Sequence, residues 1–215
     1  MTLHEPATFA TDMILGGLTA LFAVMLFRRA TEVGSPAVRL WAAAFVASAL
    51  AALLGGFHHG FAPAMSAGAA RGLWLATLYA GGVMSFFLMA SAVTAVQRGM
   101  NRRIWLVALA AKASAYTAWV THDPEFRWLI YDYGAAMIGV AAFQVVRRRR
   151  GDGPGAAWIL AGIAGSIVAA LVQRSGLSLH PRFNHNDLYH VLQMGATALL
   201  YRGGRDLTEP LRPGS

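Results

Sequence analysis

Seven histidines and a few carboxylates carry most of the chemistry in this 215-residue chain. They are His4, His58, His59, His122, His180, His185 and His190, with Asp123, Glu125, Asp132 and Asp187 near them in the sequence. The densest cluster is Phe183-Asn184-His185-Asn186-Asp187-Leu188-Tyr189-His190. Neutral imidazole is a common zinc ligand. A catalytic zinc takes three protein ligands and leaves one position for water. His58 or His59, with His190 and either His185 or Asp187, would supply such a set. Zinc lowers the pKa of its water to about 7, and a carboxylate such as Asp132 could then move the proton. The competing reading is a network of interfacial histidines bonded to one another or to lipid headgroups.

Those residues need elements to position them, and the composition says which. The chain is 56% hydrophobic and only 13% charged, with mean hydropathy +0.47. An ordinary soluble domain is about 25% charged. Too little polar surface remains to cover a water-soluble globule, which argues against a cytosolic enzyme. There is no cysteine, hence no disulfide framework and no thiol chemistry.

Seven apolar runs reach membrane-helix length, roughly 17–25 residues. They fall at about 8–27, 38–58, 72–97, 104–121, 126–146, 155–173 and 186–201. The runs are continuous, so helices are expected rather than the alternating strands of a barrel. The expected fold is an all-α membrane protein, a seven-transmembrane helix bundle. A single domain covers 1–203, and 204–215 forms a short cytoplasmic tail. The first run lacks a basic flank and is read as a retained helix rather than a signal peptide.

Arginine sets the expected orientation. Arg28, Arg29, Arg39, Arg98, Arg102, Arg103, Arg147–Arg150, Arg202, Arg205 and Arg212 fall on one side, against Arg71, Arg127, Arg174 and Arg182 on the other. The positive-inside rule places the first group in the cytoplasm and the N-terminus outside. All seven histidines then lie on the outer side. The four consecutive arginines read as an orientation signal in contact with lipid headgroups, not as a nucleic-acid site. Small residues mark expected close helix contacts: Ala161, Gly162, Gly165 and Ala169 in the sixth run, and Gly16, Gly17, Gly81 and Gly82 elsewhere.

Two charges sit deep. Asp132 is about 10 Å, and Lys112 about 13 Å, from the outer ends of their helices. Lys112 is the one lysine in the chain. Intramembrane ionisable groups are expensive and point to function. A buried Asp132–Lys112 pair is the structural expectation. At the seventh run, Asn184 or Asn186 can cap the helix. Asp187 and His190 share a face, while His185 is about 140° round from His190.

With these residues in view, the chain resembles the CREST superfamily of membrane hydrolases, which includes alkaline ceramidases and adiponectin-receptor-like proteins. The resemblance rests on seven helices, a histidine at the end of the second (His59 or His58), and the Asn186-Asp187-Leu188-Tyr189-His190-Val191-Leu192 segment opening the seventh. His190 matches the second histidine of that family's His-x-x-x-His motif. Asn186 stands where the first would be, with His185 one residue earlier. The resemblance implies a zinc-dependent hydrolase of a lipid amide or ester at the outer membrane–water interface. His59, His185, His190 and His58 are the candidate ligands, and Asp132 and Asp187 the candidate catalytic carboxylates. Tyr79 and Tyr131 could polarise a carbonyl. Membrane lipids are the expected partners. A bacterial inner membrane, with the site facing the periplasm, is the expected location. Two other readings use the same residues: a non-enzymatic receptor, channel or transporter with an Asp132/Lys112 polar path, and a haem protein ligated by His59 and His190.

Overall fold

The computed structural model describes residues 3–151, 155–180 and 183–207. Among these the chain forms seven α-helices: α1 (Pro6–Val33), α2 (Pro36–Phe61), α3 (Ala67–Val96), α4 (Gly99–His122), α5 (Phe126–Arg149), α6 (Gly155–Ser175) and α7 (His185–Gly204). The helices outrun the apolar stretches that announced them. α1, with 28 residues, is about 42 Å long, while a bilayer's hydrocarbon is only about 30 Å thick. The apolar run marks the part suited to hydrocarbon; backbone hydrogen bonding carries the helix past it.

Local chemistry fixes the breaks. Gly34 ends α1 in the left-handed region, φ 63°, with its N–H on the carbonyl of Ala30. Ser35 then caps α2 by accepting from the Val38 N–H, and Pro36 opens that helix without an unsatisfied donor. Ser66 caps α3 in the same way. Asn184, one of the two expected caps, closes a reciprocal capping box with Asp187 on α7.

Successive helices run up and down. α1, α2, α3, α5, α6 and α7 close a ring through neighbouring contacts, and α4 lies outside it, packed chiefly on α3. One end of the bundle gathers the start of α1, the end of α2 and the start of α7: His4 N–H bonds to Gly60 O, and Thr8 bonds to Asp187. This histidine end also holds His58, His59, His122 and His185. The opposite, arginine end contains Arg28, Arg39, Arg98, Arg147 and Arg202. Arg182 and Arg212 lie outside the described residues.

Six helices, α1 to α6, are long and apolar enough to cross a membrane. α7 is the exception because Asn186, Asp187, His190, Gln193 and Arg202 dilute its apolar content. Most of the buried apolar core, including Leu26, Val38, Trp41, Phe45, Val93, Val140, Ile159 and Leu207, lies toward the arginine end.

Two expectations change in detail. Gly162 and Gly165 do meet α7, at Leu200 and Ala196, and Ala169 is buried, but Ala161 faces outward: the small-residue face is turned by one position. Gly16, Gly81 and Gly82 admit Leu53, Leu129 and Tyr116, whereas Gly17 borders open space. Arg147 is not a headgroup contact. It is fully buried, donating to Gln144 Oε1 at 3.2 Å and to Asp206 O at 3.0 Å. The segment after α7 packs on the bundle where it begins, with Leu207 fully buried and its carbonyl accepting from Ser35 Oγ at 2.7 Å. Residues 208–215 lie outside the described residues.

Candidate functional site at the histidine end

α1 enters its ring position with Thr8, Thr11 and Asp12 on the face toward α7. These residues follow the three-to-four-residue repeat of one helix side. α7 answers with Asp187 and His190, three residues apart. All five are buried, Asp12 at 5% and His190 at 7% exposure. Thr8 Oγ1 donates to Asp187 Oδ1 at 2.9 Å. Thr11 Oγ1 lies 2.9 Å from His190 Nδ1. The other ring nitrogen, Nε2, lies 3.2 Å from Asp12 Oδ1. His190 therefore sits between adjacent residues of α1, hydrogen-bonded to Thr11 and within ion-pair distance of Asp12.

A glycine on α2 makes room for this. A Cβ at Gly56 of α2 would stand 2.7 Å from Asp12 Cβ. Its absence lets Asp12 lie directly against the α2 backbone. One turn further along α2, His59 Nδ1 lies 2.9 Å from Glu5 Oε2, in a contact too poorly aligned to count as a hydrogen bond. Asp12 is within charge–charge range of Glu5 and Asp187, and His190 of His59. Three helices thus bring five ionisable side chains into one cluster.

The residues singled out from sequence divide accordingly. His59, Asp187 and His190 are brought together. Asp187 has both oxygens engaged, Oδ1 by Thr8 and Oδ2 by the Asn184 N–H at 2.7 Å, so it seats α7 instead of offering a free ligand atom. His58 turns toward α3, its ring 4.9 Å from that of Trp74. His185 is the half-buried first residue of α7. Asn186 accepts from Gln173 Nε2 at 3.0 Å, tying α7 to α6. Asp132 belongs to another place: on α5, its Oδ1 is 2.6 Å from Lys112 Nζ of α4. That is the expected ion pair, and it separates Asp132 from the histidine cluster. Tyr79 bonds to Thr121 at 2.8 Å, and Tyr131 stands on the surface beside Trp128.

Asp12, Glu5, Thr8 and Thr11 escaped the sequence reading. Asp12 had a signal: it is the one carboxylate within the run 8–27, and the cost that singled out Asp132 applies to it equally. The threonines had none, because helical threonine commonly bonds its own backbone, as Thr11 also does to Ala7 O and Thr8 O.

For a metal, the donor types are suitable and the assembly is incomplete. Asp12 and His190 present an oxygen and a nitrogen 3.2 Å apart. No group of three or more such side chains is set for a metal ion among the described residues.

Residues 7–209 match a family of unknown function, DUF6962, and the chain belongs to that family. No curated protein and no solved structure matches it.

Proposed function

We propose that this chain is an integral membrane hydrolase of a lipid amide or ester, working at the histidine end of the bundle. The observation that carries the reading is the buried Asp12–His190 pair backed by Glu5–His59. Burying ionisable groups between membrane helices is costly, and such groups mark working sites. In this reading α7 is a seventh span, covered on its polar face by α1 and α6. The N-terminus is outside and the segment after α7 is cytoplasmic, following the arginines. The histidine end then faces the periplasm of a bacterial inner membrane, where lipid carbonyls lie.

Zinc is the cofactor this donor set suits. Asp12 and His190 would hold it, with His59 as third ligand on leaving Glu5. Bound there, the metal would supply hydroxide at neutral pH. The chain's own residues do the rest. Thr11 fixes the His190 ring through Nδ1. Glu5, released by His59, is placed to take a proton. Thr8 and Asn184 hold Asp187, and so hold the first turn of α7 in register with α1.

A second reading has its own support. Below Asp12 and His190, polar residues continue inward as Thr19 on α1 and Gln193 and Thr197 on α7. They reach a small cavity also lined by Ser48 and Tyr133, with Gln193 bonded to Ser166 at 3.2 Å. That file suits proton or cation movement in a transporter.

Elemental analysis of protein purified without chelator, beside His190→Ala and Asp12→Ala, separates the two. About one zinc per chain, lost in both variants, with hydrolysis of a lipid amide or ester in micelles, is the expected result. A metal-free, inactive protein that moves protons across proteoliposomes would replace the hydrolase with the transporter.

A further inference from the structure

The Lys112–Asp132 pair is left over from the site above, and it is not alone. Asp132 Oδ2 and Ser85 Oγ are both buried without a hydrogen-bond partner. Ser85 is fully buried and the Asp132 side chain is 5% exposed. They are neighbours by helix register. α3 and α5 run parallel, Gly81 meeting Leu129 and Gly139 meeting Met89. Ser85 is one turn beyond Gly81, and Asp132 is three residues beyond Leu129, on the same sides of their helices. Both unpartnered atoms therefore fall at one level of the α3–α4–α5 junction.

The junction has an open side. α4 and α5 meet by aromatic contacts near their two ends, Trp119–Trp128 at 5.3 Å and Trp105–Phe143 at 5.8 Å between ring centroids. Between these two contacts Lys112 pairs with Asp132, and buried Tyr116 of α4, its hydroxyl donating to Leu78 O at 3.1 Å, also lies within electrostatic range of Asp132. The Lys112 side chain remains 38% exposed, on a helix that faces away from the ring. An ammonium has three N–H donors, and the close ion pair with Asp132 Oδ1 leaves donors to spare. A guest arriving from the hydrocarbon side would meet the Lys112 ammonium first; behind it, closed off in this structure, lie a spare acceptor in Asp132 Oδ2 and the Ser85 hydroxyl, reached by moving the exposed Lys112 side chain aside.

We propose that this seam binds the head of a fatty primary amide, a single-chain acyl lipid whose carbonyl carries an N–H. The carbonyl oxygen accepts from Lys112, the N–H donates to Asp132 Oδ2, and the chain lies along the apolar α4–α5 surface. The head must be neutral, because the Lys112–Asp132 pair already balances its own charge and a third charge in hydrocarbon would stand uncompensated. This site is separate from the Asp12–His190 centre and does not rest on the hydrolase reading.

The test is native mass spectrometry of the full chain in phosphatidylcholine nanodiscs with oleamide, and with methyl oleate as the control lacking a donor. A diazirine-bearing fatty amide would map the contact. Oleamide is expected to bind saturably, methyl oleate about tenfold or more weakly, and cross-links are expected on α4 and α5. The Lys112→Met, Asp132→Leu double variant removes both charges together, so it leaves no lone buried charge to unfold it. It should lose oleamide binding, and Ser85→Ala should weaken it. Equal binding of the two lipids, retention in the double variant, or no saturable oleamide binding would each overturn the proposal, the last leaving water as the partner of Asp132 and Ser85.

Discussion

Asp12–His190 and Lys112–Asp132 are both acid–base pairs between helices, yet they are built differently. The first lies inside the six-helix ring, with both partners more than nine-tenths buried and a threonine on the far side of the imidazole. The second joins the ring to the helix outside it, with one partner buried and the other 38% exposed. Depth along a helix, the quantity a sequence supplies, does not distinguish them. What separates them is which neighbours close around each pair. The inner pair is enclosed by α1, α2 and α7, so it is a candidate centre. The outer pair is closed by α3 and α5 on one side alone, so it is a candidate contact with something else.

That contrast can be broken by substitution. The largest effect is expected for Asp12→Leu. Removing one member of an enclosed pair costs about 3–5 kcal/mol, and function should disappear. Adding His190→Leu should restore much of the stability, since no buried polar partner is then stranded; thermal unfolding in detergent reads both. If the double variant is as unstable as the sum of the singles, the two residues are not a pair in solution. Lys112→Met should cost less, about 1–3 kcal/mol, because the lost group is the half-exposed one and the penalty comes through Asp132. Gly56→Ala tests the fit of the inner pair alone. A Cβ there overlaps Asp12, so a cost of about 1–3 kcal/mol is expected, with a larger loss of function or metal than the stability change explains. Thr8→Val should cost about 1.5 kcal/mol through Asp187 and leave the outer pair untouched. The smallest effect belongs to Arg149→Met, exposed at the arginine end, which should stay within about 0.5 kcal/mol. The same change at buried Arg147 should exceed it clearly.

Much of the fold could be read from the chain because the relevant signals are local. Apolar runs, Gly34, Ser35-Pro36 and Asn184 specify helices and breaks within a few residues of themselves. The Lys112–Asp132 pair was also legible, since consecutive helices at similar depth are forced near each other. The inner site was not, because it joins residues about 180 positions apart, and helix order around a ring is decided by packing. His190 and His59 were identifiable as chemistry, but their partners Asp12 and Glu5 lie in the first helix and just before it. The exchange of Asp132 for Asp12 follows directly: an acid was expected beside the histidines, and the one nearer to His190 in space was the one farther from it in sequence. The inversion at Arg147 has a similar cause. Four consecutive arginines wrap around a helix end, so at least one must face inward whatever the run as a whole is doing.

α7, the one helix too polar to satisfy the apolar criterion met by α1 to α6, has a consequence for how the molecule is made. Under the proposed seven-span reading, a segment carrying Asp187 and His190 gains little by entering hydrocarbon alone. It becomes acceptable there once Thr8, Thr11 and Asp12 of α1, and Gln173 of α6, receive its polar groups. Ribosomes deliver α1 early and α7 after the other six, so in that reading α1 waits with an unmatched carboxylate until its distant partner arrives. The first and seventh helices then act as the two halves of a clasp, and closing the clasp both completes the candidate site and certifies that the whole bundle has been threaded.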